Sequence, residues 1–242
     1  MAKTISEVGH TKNVVNLDTG IDILLEMGEL FNPGNEDISI ASLQVVNAKL
    51  QDNHEKLKEM TPLFKLAVAE RVMLYAPMNK LATRFLNAFK AFEFGDQIDA
   101  GMISLNKKLR GQRIVKLKKK KVEEEETETI STAQTSYDNK AETFDEMIKY
   151  AKAVTAYKPN EEDMKTANLA DYHKEIMKAN KKNSTLSAAI ITVRKNRDEI
   201  LYDDEKNVIE RMRTLKKYLK SLKGAEEYYK RIVKLQFKSK AP

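Results

Sequence analysis

The sequence predicts an all-α protein made of two similar four-helix units, each built around one long helix. Residues that favour helix, such as Ala, Glu, Lys and Leu, are abundant, whereas only eight Gly and five Pro occur among 242 residues. One seam of residues also occurs twice, and its steps of three and four place each copy on one helical face. The first copy is Leu43, Val46, Leu50, Asn53, Leu57, Met60, Phe64, Ala67, Arg71 and Leu74, and the second is Leu169, Tyr172, Ile176, Ala179, Asn183, Leu186, Ile190, Val193, Arg197 and Ile200.

The first half of the chain is expected to form four helices in a fixed order. Residues 1–13 are polar and are predicted to fray, and a first helix is expected over residues 16–30. A long helix follows over residues 37–74, and Pro62 is expected to bend this helix without ending it. Two shorter helices with apolar stripes are predicted before and after Gly95.

The second half repeats this order. A helix over residues 138–156 is followed by a long helix over residues 163–201, and two shorter helices are predicted on either side of Gly224. Seven residues of segment 31–71 are identical to their counterparts 126 positions later, where chance gives about two or three with such a composition. The matching order of helices and stops therefore supports the repeat more than identity does.

The repeat predicts two domains, residues 14–113 and residues 136–238, which either pack as one pseudo-symmetric bundle or remain separate. Residues 114–135 are predicted to be a mobile charged linker, because the run Lys118–Lys121 precedes the run Glu123–Glu126. A helix with its basic end first would oppose the helix dipole.

Composition excludes several classes of protein. The chain has no Cys, which rules out disulfides, thiolate metal sites and a cysteine nucleophile. The beginning of the chain lacks the apolar core of a signal peptide, and the longest apolar run, residues 186–193, is far shorter than a membrane span. We therefore expect a soluble cytoplasmic protein that is not an integral membrane protein.

The net charge of +7 is concentrated near the end of the chain. Residues 205–242 hold 12 Lys and Arg against four Asp and Glu. This excess suggests a surface that binds an anion or a partner, although a solvated basic face on a packed helix is the simpler interpretation. The candidate residues on the helix of residues 205–223 are Lys206, Arg211, Arg213, Lys216, Lys217, Lys220 and Lys223.

Arg71 and Arg197 occupy the same position in the two copies of the seam. A guanidinium on a core-facing stripe needs partners, since an unpaired buried charge costs several kcal/mol. We predict that each arginine forms a buried structural ion pair with a carboxylate of a neighbouring helix. The alternative is an anion pocket between helices, one in each unit.

No cofactor or metal site is expected. Glu7 and His10 have the spacing of carboxylate di-iron bundles, but those proteins need two such motifs and two further glutamates. His54 and His173 align with asparagines in the other half, so neither is repeated. The sequence contains no glycine-rich phosphate loop and no nucleophile elbow.

Three groups of residues resemble an uncharacterised bacterial family that is common in Bacteroidota. The first is Lys80-Leu81-Ala82-Thr83-Arg84 with Asn87-Ala88, and the second is the run from Asn106 to Arg113. The third lies in the second half and comprises Arg197, Leu201-Tyr202, Val208, Lys216-Lys217-Tyr218, Gly224 and Tyr229. The resemblance covers about residues 17–237, implies a two-repeat helical protein and implies no activity, cofactor or site.

The functional hypothesis from sequence is a non-enzymatic helical scaffold or adaptor that acts through protein–protein contacts. Repeat architecture without a catalytic arrangement motivates this hypothesis. The alternative is binding of nucleic acid or another anionic surface through the basic C-terminal helices. An enzyme with a site between the repeat units is the least favoured, and the sequence leaves the partner and the oligomeric state open.

Overall fold

Helix accounts for all the regular secondary structure in a computed structural model of the chain, which describes residues 7–112 and 136–238. The predicted all-α fold is therefore confirmed. Eight α-helices occur in these ranges: α1 (Glu7–Glu26), α2 (Ile40–Tyr75), α3 (Met78–Lys90), α4 (Asp96–Leu109), α5 (Tyr137–Ala153), α6 (Thr166–Asp198), α7 (Val208–Ser221) and α8 (Glu226–Lys234). The predicted linker, residues 114–135, lies wholly outside the described ranges.

Helix α1 begins well before the predicted start, so the expectation of fraying is wrong for residues 7–13, whereas residues 1–6 lie outside the described ranges. His10 and Asn13 are buried, with 6% and 0% of their surface exposed. The Asn13 amide donates to the hydroxyl of Tyr202 at 3.0 Å and to the carbonyl of Lys238 at 2.9 Å. These partners order the first turns of α1 although the local sequence is polar.

Both long helices are continuous. Helix α2 runs through Pro62 without interruption, and α6 runs through the polar stretch 181–184. The seam residues on one face of each helix are buried, which holds the helix together where the local propensity is weak. The buried seam residues are Leu43, Leu50, Asn53, Leu57, Ala67, Leu169, Ile176, Ala179, Asn183, Ile190, Val193 and Arg197.

The two halves differ where the long helix ends. The 3₁₀ turns Glu36–Ile38 and Glu162–Met164 begin 126 residues apart, but the starts of α3 and α7 are 130 residues apart. A π-helical turn, Glu199–Asp203, lies in the longer connection of the second half. This turn carries Leu201, which is fully buried, so the wider turn redirects one apolar side chain into the core.

The chain divides into two units that do not coincide with the predicted domains 14–113 and 136–238. Unit 1 comprises Met1–Leu63 and Leu186–Pro242, and unit 2 comprises Phe64–Thr185. Each long helix therefore contributes one part to each unit. The predicted boundaries followed the order of helices along the chain, whereas the units follow which apolar faces pack together.

The core of unit 1 lies among α1, the first part of α2, α7 and α8. Leu17 and Leu24 of α1 are fully buried, as are Leu215 of α7 and Ile232 of α8. Burial of a large aliphatic side chain stabilises a fold by about 1.5 to 3 kcal/mol. These contacts join the two ends of the chain in one apolar cluster.

The core of unit 2 is richer in aromatic residues. Phe85 and Phe89 of α3 and Phe144 of α5 are fully buried. The α4–α5 contact favours a glycine at position 101, because a Cβ atom there would overlap the hydroxyl and ring of Tyr150. That hydroxyl donates to the carbonyl of Ile98 at 2.9 Å and so ties α5 to α4.

Candidate functional site

The basic helix predicted from the sequence corresponds to α7. The Asn207 side chain accepts a hydrogen bond from the backbone of Glu210 and caps the helix. Val208, Met212 and Leu215 are buried in unit 1, and so is Leu219, so the basic side chains lie on the remaining faces of the helix. Only an unpaired cation is free to bind an anion, so the partners of each basic side chain decide its availability.

Lys206 and Arg211 are both directed to Asp37. The Lys206 ammonium lies 2.9 Å from the Asp37 carboxylate. The Arg211 guanidinium donates to the backbone carbonyl of Asp37 and to the Ser42 hydroxyl, the latter at 2.8 Å, and its side chain is only 13% exposed. Arg211 therefore serves mainly to hold α7 to the turn before α2.

Arg213 and Lys216 also have partners within unit 1. The Arg213 guanidinium pairs with Glu210, one turn earlier on α7. The Lys216 ammonium donates to the carbonyl of Leu235 at 3.0 Å, and desolvation by burial lowers the pKa of this ammonium. Lys216 is thus half-buried, and its hydrogen bond holds the segment after α8 against α7.

Lys217, Lys220 and Lys223 remain exposed, and none of them has a hydrogen bond or ion pair with another described residue. Three of the seven candidate cations are therefore available to an anionic partner. The basic surface is smaller than the count of charges along the sequence suggested.

The acidic residues of unit 1 also lower the net positive charge around this surface. Residues 186–242 contain 15 Lys and Arg against 8 Asp and Glu, but residues 1–63 contain 5 basic and 10 acidic residues. Because both segments belong to unit 1, the excess positive charge near the C-terminus is largely balanced within the unit.

Arg197 is buried and paired. Its guanidinium lies 2.9 Å from the carboxylate of the adjacent Asp198, so this partner belongs to the same helix and not to a neighbouring helix as predicted. The Asp198 carboxylate also lies 3.9 Å from His10 Nδ1. The same imidazole shares a hydrogen bond of 2.9 Å with the Tyr202 hydroxyl. Burial raises the pKa of Tyr202 to about 12, so this phenol stays protonated at neutral pH.

Arg71 differs from the prediction. Among the described residues no carboxylate lies within ion-pair distance of its guanidinium, which instead stacks on the ring of Tyr137 at 4.3 Å. Its Nε atom is buried and has no hydrogen-bond partner. A cation–π contact replaces the expected ion pair because α5 presents an aromatic ring where a carboxylate was expected.

Sequence reasoning missed the polar cluster around Tyr75 in unit 2. The Tyr75 hydroxyl donates to the carbonyl of Tyr137 at 2.8 Å and accepts from the amide of Asn180 at 2.9 Å. That amide also donates to Asp138 at 3.0 Å. Burial raises the pKa of Tyr75. The hydrogen-bonded partners are 42 to 105 positions apart in sequence, and no local pattern reveals such contacts.

Asn47 and His173 occupy equivalent positions in the two halves, and both make contacts that the sequence did not predict. Asn47 donates to Asp18 of α1 at 2.6 Å, and His173 lies 3.9 Å from Asp145 of α5. Each residue of the long helix thus faces an aspartate on the helix that precedes it. Alignment of the two copies placed these residues together, but it did not show that both face a carboxylate.

No group of three or more His, Cys, Asp or Glu residues is arranged to hold a metal ion in ranges 7–112 and 136–238. Within the same ranges no helix is long and apolar enough to cross a lipid bilayer.

An apolar stripe remains exposed on the last part of α2, within unit 2. The side chains of Leu66 and Met73 are 65% and 73% exposed. Ala69 is exposed between them on the helix, and Ala76 is exposed in the turn directly after α2, so the four residues follow one another at steps of three and four. We refer to Leu66, Ala69, Met73 and Ala76 as the α2 stripe. Its spacing is that of one side of a coiled coil.

Unit 2 also contains an open cleft of about 430 Å³ between the start of α3 and the end of α4. Asn79, Lys80, Thr83, Arg84 and Arg110 line this cleft. We refer to it as the cationic cleft. Its residues come from segments 79–84 and 106–113, and the sequence did not indicate that these segments meet.

The fold and these surfaces define an all-α protein whose buried polar residues are mainly engaged in holding helices together. Comparison of the chain with protein-family models, with curated proteins and with solved structures found no match.

Proposed function

We propose that the protein is a non-enzymatic helical scaffold that assembles through protein–protein contact, and that its first partner is a second copy of itself. The α2 stripe is the observation that carries this proposal. Leu66 and Met73 are large apolar side chains with most of their surface in water. Apolar side chains that recur at this spacing along one helix are typical of a surface that pairs with another helix. Apolar residues that are merely exposed on a surface are scattered singly.

The charges beside the stripe favour a parallel pair of α2 helices. Lys65 lies on one side of the stripe and Glu70 on the other. In a parallel two-helix pair, the residue on one flank meets the residue five positions later on the opposite flank of the other helix. Lys65 of each copy would then face Glu70 of the other copy, whereas an antiparallel pair brings like flanks together.

Glu70 already forms an ion pair with Lys182 at 2.7 Å, and both side chains are at least half exposed. An exposed pair of this kind contributes at most about 1 kcal/mol, so exchange of its partner costs little. The association itself is expected to be weak. Leu66 and Met73 are already partly covered, so burial of the rest of each side chain stabilises the dimer by about 1 to 2 kcal/mol, or about 4 to 8 kcal/mol for both copies together. The entropic cost of association, about 4 kcal/mol or more, offsets much of this gain.

Sedimentation equilibrium of the purified protein over a range of concentrations tests this proposal. We expect a reversible dimer with a dissociation constant between about 1 μM and 1 mM. Leu66→Lys should abolish the dimer, and Val45→Lys is the matched control, because Val45 is 56% exposed on the same helix outside the stripe. A protein that remains monomeric at about 1 mM, or equal effects of both substitutions, would overturn the proposal.

The charge pair supplies an independent test in the same experiment. Glu70→Lys should weaken the dimer, because each Lys65 would then face a lysine. The double variant Lys65→Glu with Glu70→Lys restores opposite charges and should recover the association. Failure of the double variant to recover it would contradict the parallel arrangement.

A further inference from the structure

The cationic cleft is lined by charges of one sign. Three of its five lining residues are cationic, namely Lys80, Arg84 and Arg110, and none is a carboxylate. A cleft lined by charges of one sign concentrates counter-ions of the opposite sign. The cleft therefore has the electrostatic character of an anion site.

A cavity of about 250 Å³ in unit 1 shows the contrast. Two cations line it, Lys206 and Arg211, but three carboxylates line it as well. Both cations are directed to Asp37, one of these carboxylates. Charges within that cavity balance one another, so it offers no comparable attraction for an anion.

The donors of the cationic cleft are accessible. Lys80 and Arg110 are exposed and have no carboxylate partner in the described part of the chain. Arg84 pairs with Asp163 at 2.7 Å, but both side chains are more than half exposed, so the pair is worth at most about 1 kcal/mol. The Thr83 hydroxyl donates to the Asn79 carbonyl and is left as an acceptor.

The fold fixes the positions of these donors. Lys80 and Arg84 lie one turn apart on α3, so their side chains project from the same face. Lys80 is also in the first turn of α3, whose unpaired backbone amides add a partial positive charge. Arg110 follows the last turn of α4, which packs against α3.

We propose that the cationic cleft binds a phosphate-type oxyanion, either free or carried on a small molecule. Arginine forks match the tetrahedral oxygens of phosphate with paired hydrogen bonds, and lysine adds a point charge. Three cations suit a group with two or more negative charges. The volume of about 430 Å³ exceeds that of one phosphate and falls within the range of small-molecule sites.

Calorimetric titration with inorganic phosphate and with inorganic pyrophosphate, at an ionic strength held constant with NaCl, tests this proposal. We expect saturable binding, with pyrophosphate at least tenfold tighter because it spans more of the cleft. Tighter binding of phosphate would indicate a free ion as the ligand, and tighter binding of pyrophosphate a phosphate carried on a larger group. The absence of saturable binding of either probe would overturn the proposal.

Two double variants with the same loss of charge locate the site. Lys80→Gln with Arg110→Gln should weaken binding by at least tenfold, whereas Lys217→Gln with Lys220→Gln in unit 1 should leave it unchanged. Equal weakening in both variants would mean that net charge alone attracts the anion and would overturn the proposal. All four side chains are exposed, so the melting temperature of each variant should match that of the parent protein.

Discussion

The hydroxyl of Tyr202 connects helix α1 with the π-helical turn that follows α6 in unit 1. It accepts from the Asn13 amide at 3.0 Å and shares a hydrogen bond of 2.9 Å with His10. Asn13 in turn holds the backbone of Lys238 through two hydrogen bonds of 2.9 Å. Buried polar groups with several partners fix one arrangement of a core, because each lost partner leaves another group unsatisfied.

Tyr202→Phe should therefore lower the free energy of unfolding by about 1 to 3 kcal/mol, since it leaves buried polar atoms of His10 and Asn13 without this partner. Urea unfolding followed by circular dichroism measures the change. Tyr229→Phe is the control, because Tyr229 is half-buried in the same unit and its hydroxyl has no hydrogen bond to a described residue. Equal losses in the two variants would show that the Tyr202 network contributes nothing specific.

Arginine at the same position of the two seams has two different environments. Arg197 pairs with Asp198, and Arg71 stacks on Tyr137. The sequence predicts that both arginines require a partner, because the charge of each residue and the helical face on which it lies follow from the local sequence. The partner itself depends on which side chain the facing helix presents, and that is decided by packing.

Among the elements, α7 shows how packing changes the meaning of a basic segment. Its apolar face lies in the core of unit 1, and Lys206 and Arg211 bind the turn that carries Asp37. Arg213 and Lys216 have partners too, so the cations that remain are Lys217, Lys220 and Lys223. The element serves chiefly as a structural helix with a short exposed basic end.

The salt dependence of duplex DNA binding, measured by fluorescence anisotropy between 50 and 200 mM salt, shows how many of these cations contact phosphate groups. Each phosphate neutralised contributes about −0.9 to the slope of log K against log salt, so three lysines predict a slope near −3. A slope near −6 would show that all seven candidate cations contact DNA and that the internal pairs open. Lys217→Gln with Lys220→Gln should reduce the slope by about 2.

The whole molecule is organised around helices that belong to both units. Unit 1 takes α1 and the first part of α2 from one end of the chain and α7 and α8 from the other. Leu17 and Leu24 consequently share one apolar cluster with residues of α7 and α8 that are more than 170 positions away. The predicted domain 14–113 would lack those partners.

Two fragments test this organisation. Residues 64–185, which hold the complete core of unit 2, should unfold cooperatively in urea as a separate chain. Residues 14–113 should show weak helicity and no cooperative transition, because α1 would expose its apolar face to water. Cooperative unfolding of residues 14–113, with helicity close to that expected from α1–α4, would contradict the division into units.

The sequence alone determined the fold class and the order of the helices, because an apolar period of 3.6 residues is a local property that each segment carries by itself. It also marked the two long helices correctly, since their seams keep one phase through Pro62 and through residues 181–184. Tertiary structure decided the composition of the units, the early start of α1, the partner of Arg71 and the meeting of Lys80 with Arg110 at one cleft. Each of these depends on side chains that are far apart in the chain. Only the burial of apolar faces against one another brings such side chains into contact.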